Sequence, residues 1–141
     1  TPQEIYAHPI NRFVADFIGK ANFLEGRVDR LLSPDEAELD LLGVKIQAPM
    51  AKNRFQAGDK VLLTVRPESI LLEPKRSGTL VGSIRESVYL GSHLVYEIGV
   101  AGRVLTVEIS DPQDQIVFKG GEEVSVFLKK KSLYIIPLEE A

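Results

Sequence analysis

Two stretches of this chain resemble each other at a constant distance, and this repeat constrains the fold more than any other feature. Residues 58–70 align without a gap to residues 121–133, an offset of 121 − 58 = 63 residues. Each copy has a glycine and an acid, an alternating strand, a basic residue, and then Ser before a second apolar run. A shorter pair, residues 24–28 and 80–84, precedes them in the same order. The repeat predicts two half-size β units, each too small for an independent core, packed together.

The chain from Phe23 onward has the pattern of a mainly β protein. Short runs rich in Val, Ile and Leu alternate with turn residues, a spacing that predicts a small barrel or sandwich. The two-residue turns Gly91-Ser92 and Ala101-Gly102 predict a three-stranded meander over Leu80–Ile109. The predicted strands are Leu24–Leu32, Glu38–Leu41, Val44–Ala48, Lys60–Val65, Ser69–Leu72, Leu80–Leu90, His93–Val100, Arg103–Ile109, Val124–Leu128 and Leu133–Ile136.

The N-terminal segment has helical periodicity instead. Thr1-Pro2 is typical of a helix start, and Pro9 ends that first turn. A second helix is predicted up to Gly19, because its apolar residues follow the spacing i, i+3, i+4, i+7 and i+8. These residues are Ile10, Phe13, Val14, Phe17 and Ile18. The apolar stripe packs either on the chain's own core or on a domain outside this chain.

Composition excludes several classes of site. The 141 residues contain no Cys, which excludes disulfides, thiolate metal sites and a Cys nucleophile. His8 and His93 lie far apart, so we predict neither a metal site nor a catalytic residue. The net charge of −3 disfavours non-specific binding to nucleic acid. No apolar run approaches the roughly 20 residues that a membrane span needs.

Two charged stretches have simple explanations. The acidic residues Asp35, Glu36, Glu38 and Asp40 follow or alternate with apolar ones, which predicts the solvated face of an amphipathic strand. The basic run Lys129-Lys130-Lys131 lacks the neighbouring aromatics on which bases stack. A solvated strand end or a subunit contact explains that run better than a nucleic-acid surface.

The turn around Pro67 is the first candidate site. Arg66 and Glu68 flank the proline between two strands, and Ser69 follows them. In the structural interpretation, Arg66 and Glu68 pair across the turn or cap strand-end carbonyls. In the functional one, Arg66, Glu68 and Ser69 form a subunit contact or an effector-anion site, since guanidinium groups suit bidentate partners.

The turn at Tyr89-Leu90-Gly91-Ser92 is the second candidate. Gly91 permits a tight turn, which explains the sequence without any ligand. Backbone amides and the Ser92 hydroxyl are also able to hold a small oxyanion, so Tyr89, Gly91 and Ser92 form an alternative effector or subunit contact.

Several motifs together resemble a known family. Thr1-Pro2-Gln3-Glu4-Ile5-Tyr6, Pro9, Phe13-Val14-Ala15, Phe17-Ile18-Gly19 and Asn22 resemble the junction between the nucleotide-binding and regulatory domains of importer-type ABC transporter ATPases. Val65-Arg66-Pro67-Glu68 and Tyr89-Leu90-Gly91-Ser92 resemble motifs of its regulatory domain. That domain is TOBE, an OB-like β module.

The resemblance implies an OB-like barrel of two TOBE-type units with a helical lead-in. We expect a lead-in over residues 1–21, β units over 22–76 and 77–141, and one compact regulatory domain. The chain starts at Thr1 without an initiator Met, as expected of a tail that follows an ATPase domain. Phe13, Phe17 and Ile18 would then pack on that domain.

The implied function is regulatory. No G-x-x-x-x-G-K-[ST] phosphate loop occurs in the 141 residues, so we expect no ATP hydrolysis and no cofactor here. ATP and Mg²⁺ would bind the ATPase domain upstream. The implied partners are a second copy, that ATPase domain and, indirectly, membrane permease subunits. An effector anion is a further candidate. The expected location is cytoplasmic, at the inner face of the cell membrane.

The transported solute and two other functions stay open. Residues 17–26 resemble polyamine or ferric-iron importers more than sugar importers, and polyamine is the preferred solute. The alternatives are a stand-alone module that binds an oxyanion or metabolite and an OB protein that binds single-stranded nucleic acid. Saturable binding of molybdate, sulfate or phosphate would favour the first, and salt-sensitive oligonucleotide binding the second.

Overall fold

A computed structural model describes residues 21–110 and 117–138 of the chain. The predicted N-terminal helices lie outside the described residues. The described part forms ten strands and is mainly β, as predicted. The strands are β1 (Asn22–Ser33), β2 (Glu36–Leu41), β3 (Val44–Pro49), β4 (Lys60–Val65), β5 (Ile70–Pro74), β6 (Leu80–Tyr89), β7 (His93–Val100), β8 (Arg103–Ser110), β9 (Glu123–Leu128) and β10 (Tyr134–Pro137).

The strands form two antiparallel five-stranded sheets with corresponding orders. The first has the order β10-β4-β1-β2-β3 and the second β5-β9-β6-β7-β8. The adjacent strands β6, β7 and β8 confirm the predicted meander. β5 and β10 each lie in the sheet that contains most strands of the other half. The halves are therefore interlocked, and neither sheet is complete without a strand from the other.

The chain reverses direction at two hairpins through two-residue turns with positive φ angles. Leu42-Gly43 and Ala101-Gly102 join their strands with φ values of 56° and 87°, and of 51° and 81°. Positive φ at both central positions defines a type I′ turn, whose twist matches that of the flanking strands. The two hairpins, β2–β3 and β7–β8, consequently share one geometry.

Alternating strands bury one face against a shared core. In β2, Ala37, Leu39 and Leu41 are buried while the acidic residues between them are partly exposed, which confirms the predicted amphipathic strand. One apolar cluster contains residues of both sheets, such as Val28 and Ile98. A smaller cluster contains Phe23, Leu62 and Ile136.

The glycine shared by the short repeat has a packing reason. A Cβ at Gly26 would lie 2.6 Å from Leu41 Cδ2, and one at Gly82 would lie 3.0 Å from Val100 Cγ2. Leu41 and Val100 are the last residues before the two type I′ turns. Both halves therefore use a glycine in the first strand to let the neighbouring hairpin approach.

Candidate functional site

The candidate site around Pro67 is one of two matching 3₁₀ turns. Arg66 is extended, at φ −77° and ψ 149°, as expected for a residue before proline, and Pro67–Ser69 form the turn. The other turn, Lys130–Ser132, follows β9 in the same way. The amide of Ser69 donates to Arg66 O at 2.9 Å, and that of Ser132 donates to Lys129 O at 3.0 Å. The two turns thus have the same internal hydrogen bond.

The two 3₁₀ turns also contact each other. Arg66 Nη2 donates to Ser132 Oγ at 3.1 Å, across 66 residues of sequence. The backbone N–H of Lys129 donates to Ser69 O at 3.0 Å. Each turn therefore binds the serine of the other, and we call this pair the paired turns. The sequence predicted both copies of the motif but not their contact, because a repeat does not show which elements lie next to each other in the fold.

The polar groups of the paired turns are already engaged within the chain. Arg66 Nε lies 3.9 Å from Glu68 Oε2, at the outer limit of an ion pair. The Arg66 side chain is 36% exposed, whereas Ser69 and Pro67 are buried. The ion pair with Glu68 fits the structural interpretation of this turn. An anion at this surface would have to share the guanidinium with Ser132.

Lysines extend the positive charge beyond the paired turns. Lys129, Lys130 and Lys131 are exposed. Lys130 Nζ forms an ion pair with Glu36 and lies 3.4 Å from Gln47 Oε1, so it ties its turn to the first sheet. Exposed ion pairs contribute little to stability, so these contacts orient the lysine more than they stabilise the fold.

The Tyr89–Ser92 turn lies at the exposed tip of the β6–β7 hairpin. The Tyr89 side chain is 63% exposed, and Gly91 has a φ of +83°, which explains the glycine. Leu90 N donates to His93 O at 2.7 Å, and Ser92 N donates to Leu90 O at 3.0 Å. Ser92 Oγ lies 2.8 Å from His93 Nδ1. The amides of Leu90 and Ser92 are therefore engaged inside the turn.

The structure does not join the two candidate turns. Among the described residues, no hydrogen bond or ion pair connects Tyr89–Ser92 with Arg66, Glu68 or Ser69. His93 Nε2 instead lies 3.4 Å from Glu108 Oε1 on β8. Phe13, Phe17 and Ile18, the residues predicted to pack on another domain, lie outside the described residues.

A third polar contact, which sequence reasoning missed, joins the two sheets. Asn22 Nδ2 donates to Thr106 O at 2.8 Å, and Asn22 Oδ1 accepts from Thr106 N at 2.8 Å. Asn22 is only 5% exposed and Thr106 is half-buried, so these bonds are partly shielded from water. We call this contact the Asn22 clasp. The available indication in the sequence was an Asn directly before the apolar pair Phe23-Leu24, at the first position of β1, where this residue is disfavoured without a specific partner.

A cleft lies between the two type I′ turns. It has a volume of about 420 Å³ and is lined by equivalent residues of the two halves, such as Leu24 and Leu80. At its rim, Arg103 Nη2 donates to Glu25 Oε1 at 2.8 Å. Its lining is apolar with one ion pair, which gives it no set of groups suited to catalysis.

An exposed charge network supports the β2–β3 turn. Asp40 Oδ1 accepts from Gly43 N at 2.8 Å, and Lys45 Nζ contacts Asp40 at 3.2 Å and Asp29 at 3.1 Å. The Gly43 amide and then Lys45 hold the pKa of Asp40 below its ordinary value of 3.8. The carboxylates of Asp29 and Asp40 raise the pKa of Lys45 above 10.5. Both shifts favour the charged forms.

Residues 21–110 and 117–138 contain no group of three or more His, Cys, Asp or Glu that could hold a metal ion. No helix within this described part is long and apolar enough to cross a membrane.

Comparison with known proteins gives matches over most of the chain. A family model described as TOBE domain matches residues 63–136. The spermidine/putrescine import ATP-binding protein of Borreliella afzelii is 35% identical over 143 residues, covering 99% of this chain and 37% of the relative. The corresponding protein of Ruegeria pomeroyi is 37% identical over 131 residues, covering 89% of this chain and 34% of the relative.

Two further matches extend the comparison. The Fe(3+) ions import ATP-binding protein of Rhizobium meliloti is 30% identical over 135 residues, covering 96% of this chain and 36% of the relative. The chain thus spans little more than a third of the length of these relatives. Among solved structures, the cytoplasmic molybdate-binding protein ModG aligns with a TM-score of 0.65 at 20% identity, covering 82% of this chain and 96% of ModG. This likeness confirms the fold.

Proposed function

This chain belongs to the TOBE domain family, and from that premise we propose that it is the regulatory and subunit-pairing domain of the ATP-binding subunit of a polyamine importer. The similarity to spermidine/putrescine import ATP-binding proteins carries the proposal, because it extends over 99% of the chain. The match to an iron-import protein makes ferric iron the second candidate solute.

In this proposal ATP hydrolysis takes place in another domain of a longer protein. The relatives are named for ATP binding, yet the chain corresponds to only 37% of the Borreliella protein. The chain itself has no phosphate loop, so ATP and Mg²⁺ bind a separate domain. Its own role is to hold two subunits together while their ATPase domains open and close, and to alter that cycle when an effector binds.

The interlocked sheets support a mechanical role. β5 and β10 each complete the sheet of the other half, and the paired turns and the Asn22 clasp add hydrogen bonds between the halves. Separating the halves requires unpairing strands as well as exposing a shared core. A domain built in this way transmits a displacement as one body, which subunit pairing requires.

The proposed partners follow from this role. They are a second copy of the subunit, the ATPase domain of the same protein and, through that domain, the membrane permease subunits. The complex would lie at the cytoplasmic face of the cell membrane.

A chimera of the longer protein tests the proposal. In the Borreliella relative, this chain replaces the region to which it aligns, and the subunit is assembled with its permease in vesicles. We expect solute-stimulated ATP hydrolysis to be retained in the chimera and lost when that region is deleted. A chimera with no more activity than the deletion would contradict the proposal.

A stand-alone oxyanion-binding module is the alternative function. The observation that favours it is the grouping of Arg66, three exposed lysines and Ser132 at the paired turns. Calorimetry of the chain with molybdate, sulfate and phosphate tests it. Saturable binding that Arg66→Ala abolishes would favour this function, and a flat titration with all three anions would exclude it.

A further inference from the structure

Strands β3 and β8 are equivalent edges of the two sheets, yet they differ in what pairs with them. Each follows a type I′ turn, and an offset of 103 − 44 = 59 residues matches Val44 to Arg103 and Gln47 to Thr106. Residues flanking a two-residue turn exchange hydrogen bonds, and the pattern alternates along the hairpin. The backbone N–H and C=O of Gln47 and of Thr106 therefore point away from the hairpin partner.

On β8, the outward groups are occupied by the Asn22 clasp, which binds both backbone atoms of Thr106 at 2.8 Å. A carboxamide is suited to this because it presents one donor and one acceptor side by side. In effect, Asn22 pairs with the edge strand as a single peptide group would.

On β3, the equivalent of Asn22 is a glycine. The short repeat aligns Leu24 with Leu80, an offset of 56, so Asn22 corresponds to Gly78. Gly78 has no side chain, and no atom lies within 4 Å of the position that its Cβ would take. Within residues 21–110 and 117–138, no atom hydrogen-bonds the outward N–H or C=O of Gln47.

A cleft lies beside β3, at the place where an equivalent of the Asn22 clasp would be. It has a volume of about 340 Å³ and lies between β3 on one side and residues 78–80 and 126–128 on the other. Its walls include the buried side chains of Leu80 and Val126 and the half-buried Ile46. Lys130 stands at its rim, where it contacts Glu36 and Gln47. The site therefore combines unpaired edge backbone, an apolar wall and a rim of paired charges.

We propose that this cleft binds an extended peptide segment of a partner protein, which adds to β3 as an antiparallel strand. A peptide backbone repeats the donor and acceptor of the Asn22 carboxamide every second residue, as the outward groups of Lys45 and Gln47 require. Antiparallel addition agrees with every strand pair in both sheets.

The cleft also selects the side chains of the peptide. Residues of an antiparallel partner that lie opposite Lys45 and Gln47 share their solvent-facing side, and the alternate residues face the apolar wall. The outer positions lie near Lys45 and Lys130, which already pair with Asp29, Asp40 and Glu36, so solvated polar residues of either charge fit there. The inner positions favour a branched apolar residue. The preferred segment thus alternates polar and apolar residues.

A peptide titration of the ¹⁵N-labelled 141-residue chain tests the proposal. The probe is acetyl-Glu-Val-Glu-Val-Glu-amide, followed by the amide resonances of Lys45 and Gln47. In antiparallel addition with the glutamates opposite Lys45 and Gln47, the glutamate N–H groups face β3 and the valine N–H groups face away. We expect N-methylation of the glutamates to weaken binding at least tenfold, and N-methylation of the valines to leave it within twofold.

Variants of β3 provide the matched control. Gln47→Pro removes the outward N–H without removing a bond to β2, and proline is tolerated in this orientation on an edge strand. Gln47→Ala keeps the N–H. We expect Gln47→Pro to lose tenfold or more in affinity and Gln47→Ala to lose less than threefold. The N-methylated peptides test the unaltered protein, so the result does not depend on how a variant folds.

Three results would overturn the proposal. The first is that 5 mM peptide leaves the amide resonances of Lys45 and Gln47 unshifted. The second is equal binding by the two N-methylated peptides. The third is a loss of binding when the valines alone are N-methylated. The last result would mean that the valine N–H groups face the strand, which antiparallel addition with the glutamates opposite Lys45 and Gln47 forbids.

Discussion

The Arg66 guanidinium donates to the Ser132 hydroxyl at 3.1 Å, from the turn of one repeat to the matching turn of the other. Lys129 is the equivalent of Arg66 in the second copy. It contacts Ser69 of the first copy through its backbone N–H, which donates to Ser69 O at 3.0 Å, and not through its side chain. The two halves therefore use the same turn with different chemistry.

This difference predicts an asymmetric response to alanine substitution. Ser132→Ala should lower the free energy of unfolding by about 1 kcal/mol, because the hydroxyl accepts from a charged donor. Lys129→Ala is the matched control and should have little effect, since its contact is made by the backbone. Urea unfolding of both variants, with a double-mutant cycle of Arg66→Ala and Ser132→Ala, measures the coupling. Additive effects of the two changes would show that this contact contributes nothing.

Breaking the Asn22 clasp should cost more than any exposed contact. Asn22→Ala leaves the N–H and C=O of Thr106 without their partner in a partly buried setting, which costs about 1–2 kcal/mol. Gln47→Ala, at the equivalent edge, serves as the control and should be neutral. Urea unfolding and hydrogen exchange of the Thr106 amide measure the effect. Unchanged exchange at Thr106 in Asn22→Ala would mean that the clasp does not form in solution.

The shared glycine of the first strands should not tolerate a methyl group. Gly26→Ala places a Cβ 2.6 Å from Leu41 Cδ2, and overpacking of this kind costs about 1–3 kcal/mol. Gly99→Ala is the control, because the nearest atom to its Cβ is Arg85 Cδ, at 3.6 Å on a flexible side chain. Thermal unfolding should show a lower midpoint for Gly26→Ala than for the unaltered chain. The midpoint of Gly99→Ala should be unchanged. Equal midpoints for the two variants would contradict the packing argument.

The β2–β3 turn should contribute an acid-sensitive part of stability. The Gly43 amide and Lys45 lower the pKa of Asp40 in the folded chain. The contribution of Asp40 is then complete above its unfolded value of 3.8 and is lost as the pH falls through the lower folded value. Asp40→Asn removes this dependence. Urea midpoints between pH 2 and 6 should fall less steeply below pH 4 for the variant, and parallel curves would contradict the assignment.

Local features of this fold were predictable from the sequence. The alternation Ala37, Leu39, Leu41 predicted the inner face of β2, and Ala101-Gly102 predicted a tight hairpin turn; both are confirmed. Such features depend on neighbouring residues, whose spacing is visible in the sequence. Strand ends were harder to place. β5 begins at Ile70 rather than Ser69, because Ser69 belongs to the 3₁₀ turn that follows Arg66.

Long-range pairing was not predictable in the same way. β5 and β10 have the same apolar character, so the sequence alone does not show that each joins the sheet of the other half. The Asn22 clasp spans 84 residues, and a single Asn does not indicate its partner. The offset of the short repeat aligns Asn22 with Gly78, but it does not show that Asn22 contacts Thr106 on the edge strand β8.

The central claim is that this chain pairs the subunits of an importer, and sedimentation equilibrium of the chimera with the Borreliella relative tests it most directly. Without nucleotide, the ATPase domains alone have no bound ATP to join them, so a lasting dimer has to be held by this domain. We predict that the nucleotide-free chimera sediments as a dimer and the deleted form as a monomer. A chimera that is monomeric under the same conditions would contradict the claim.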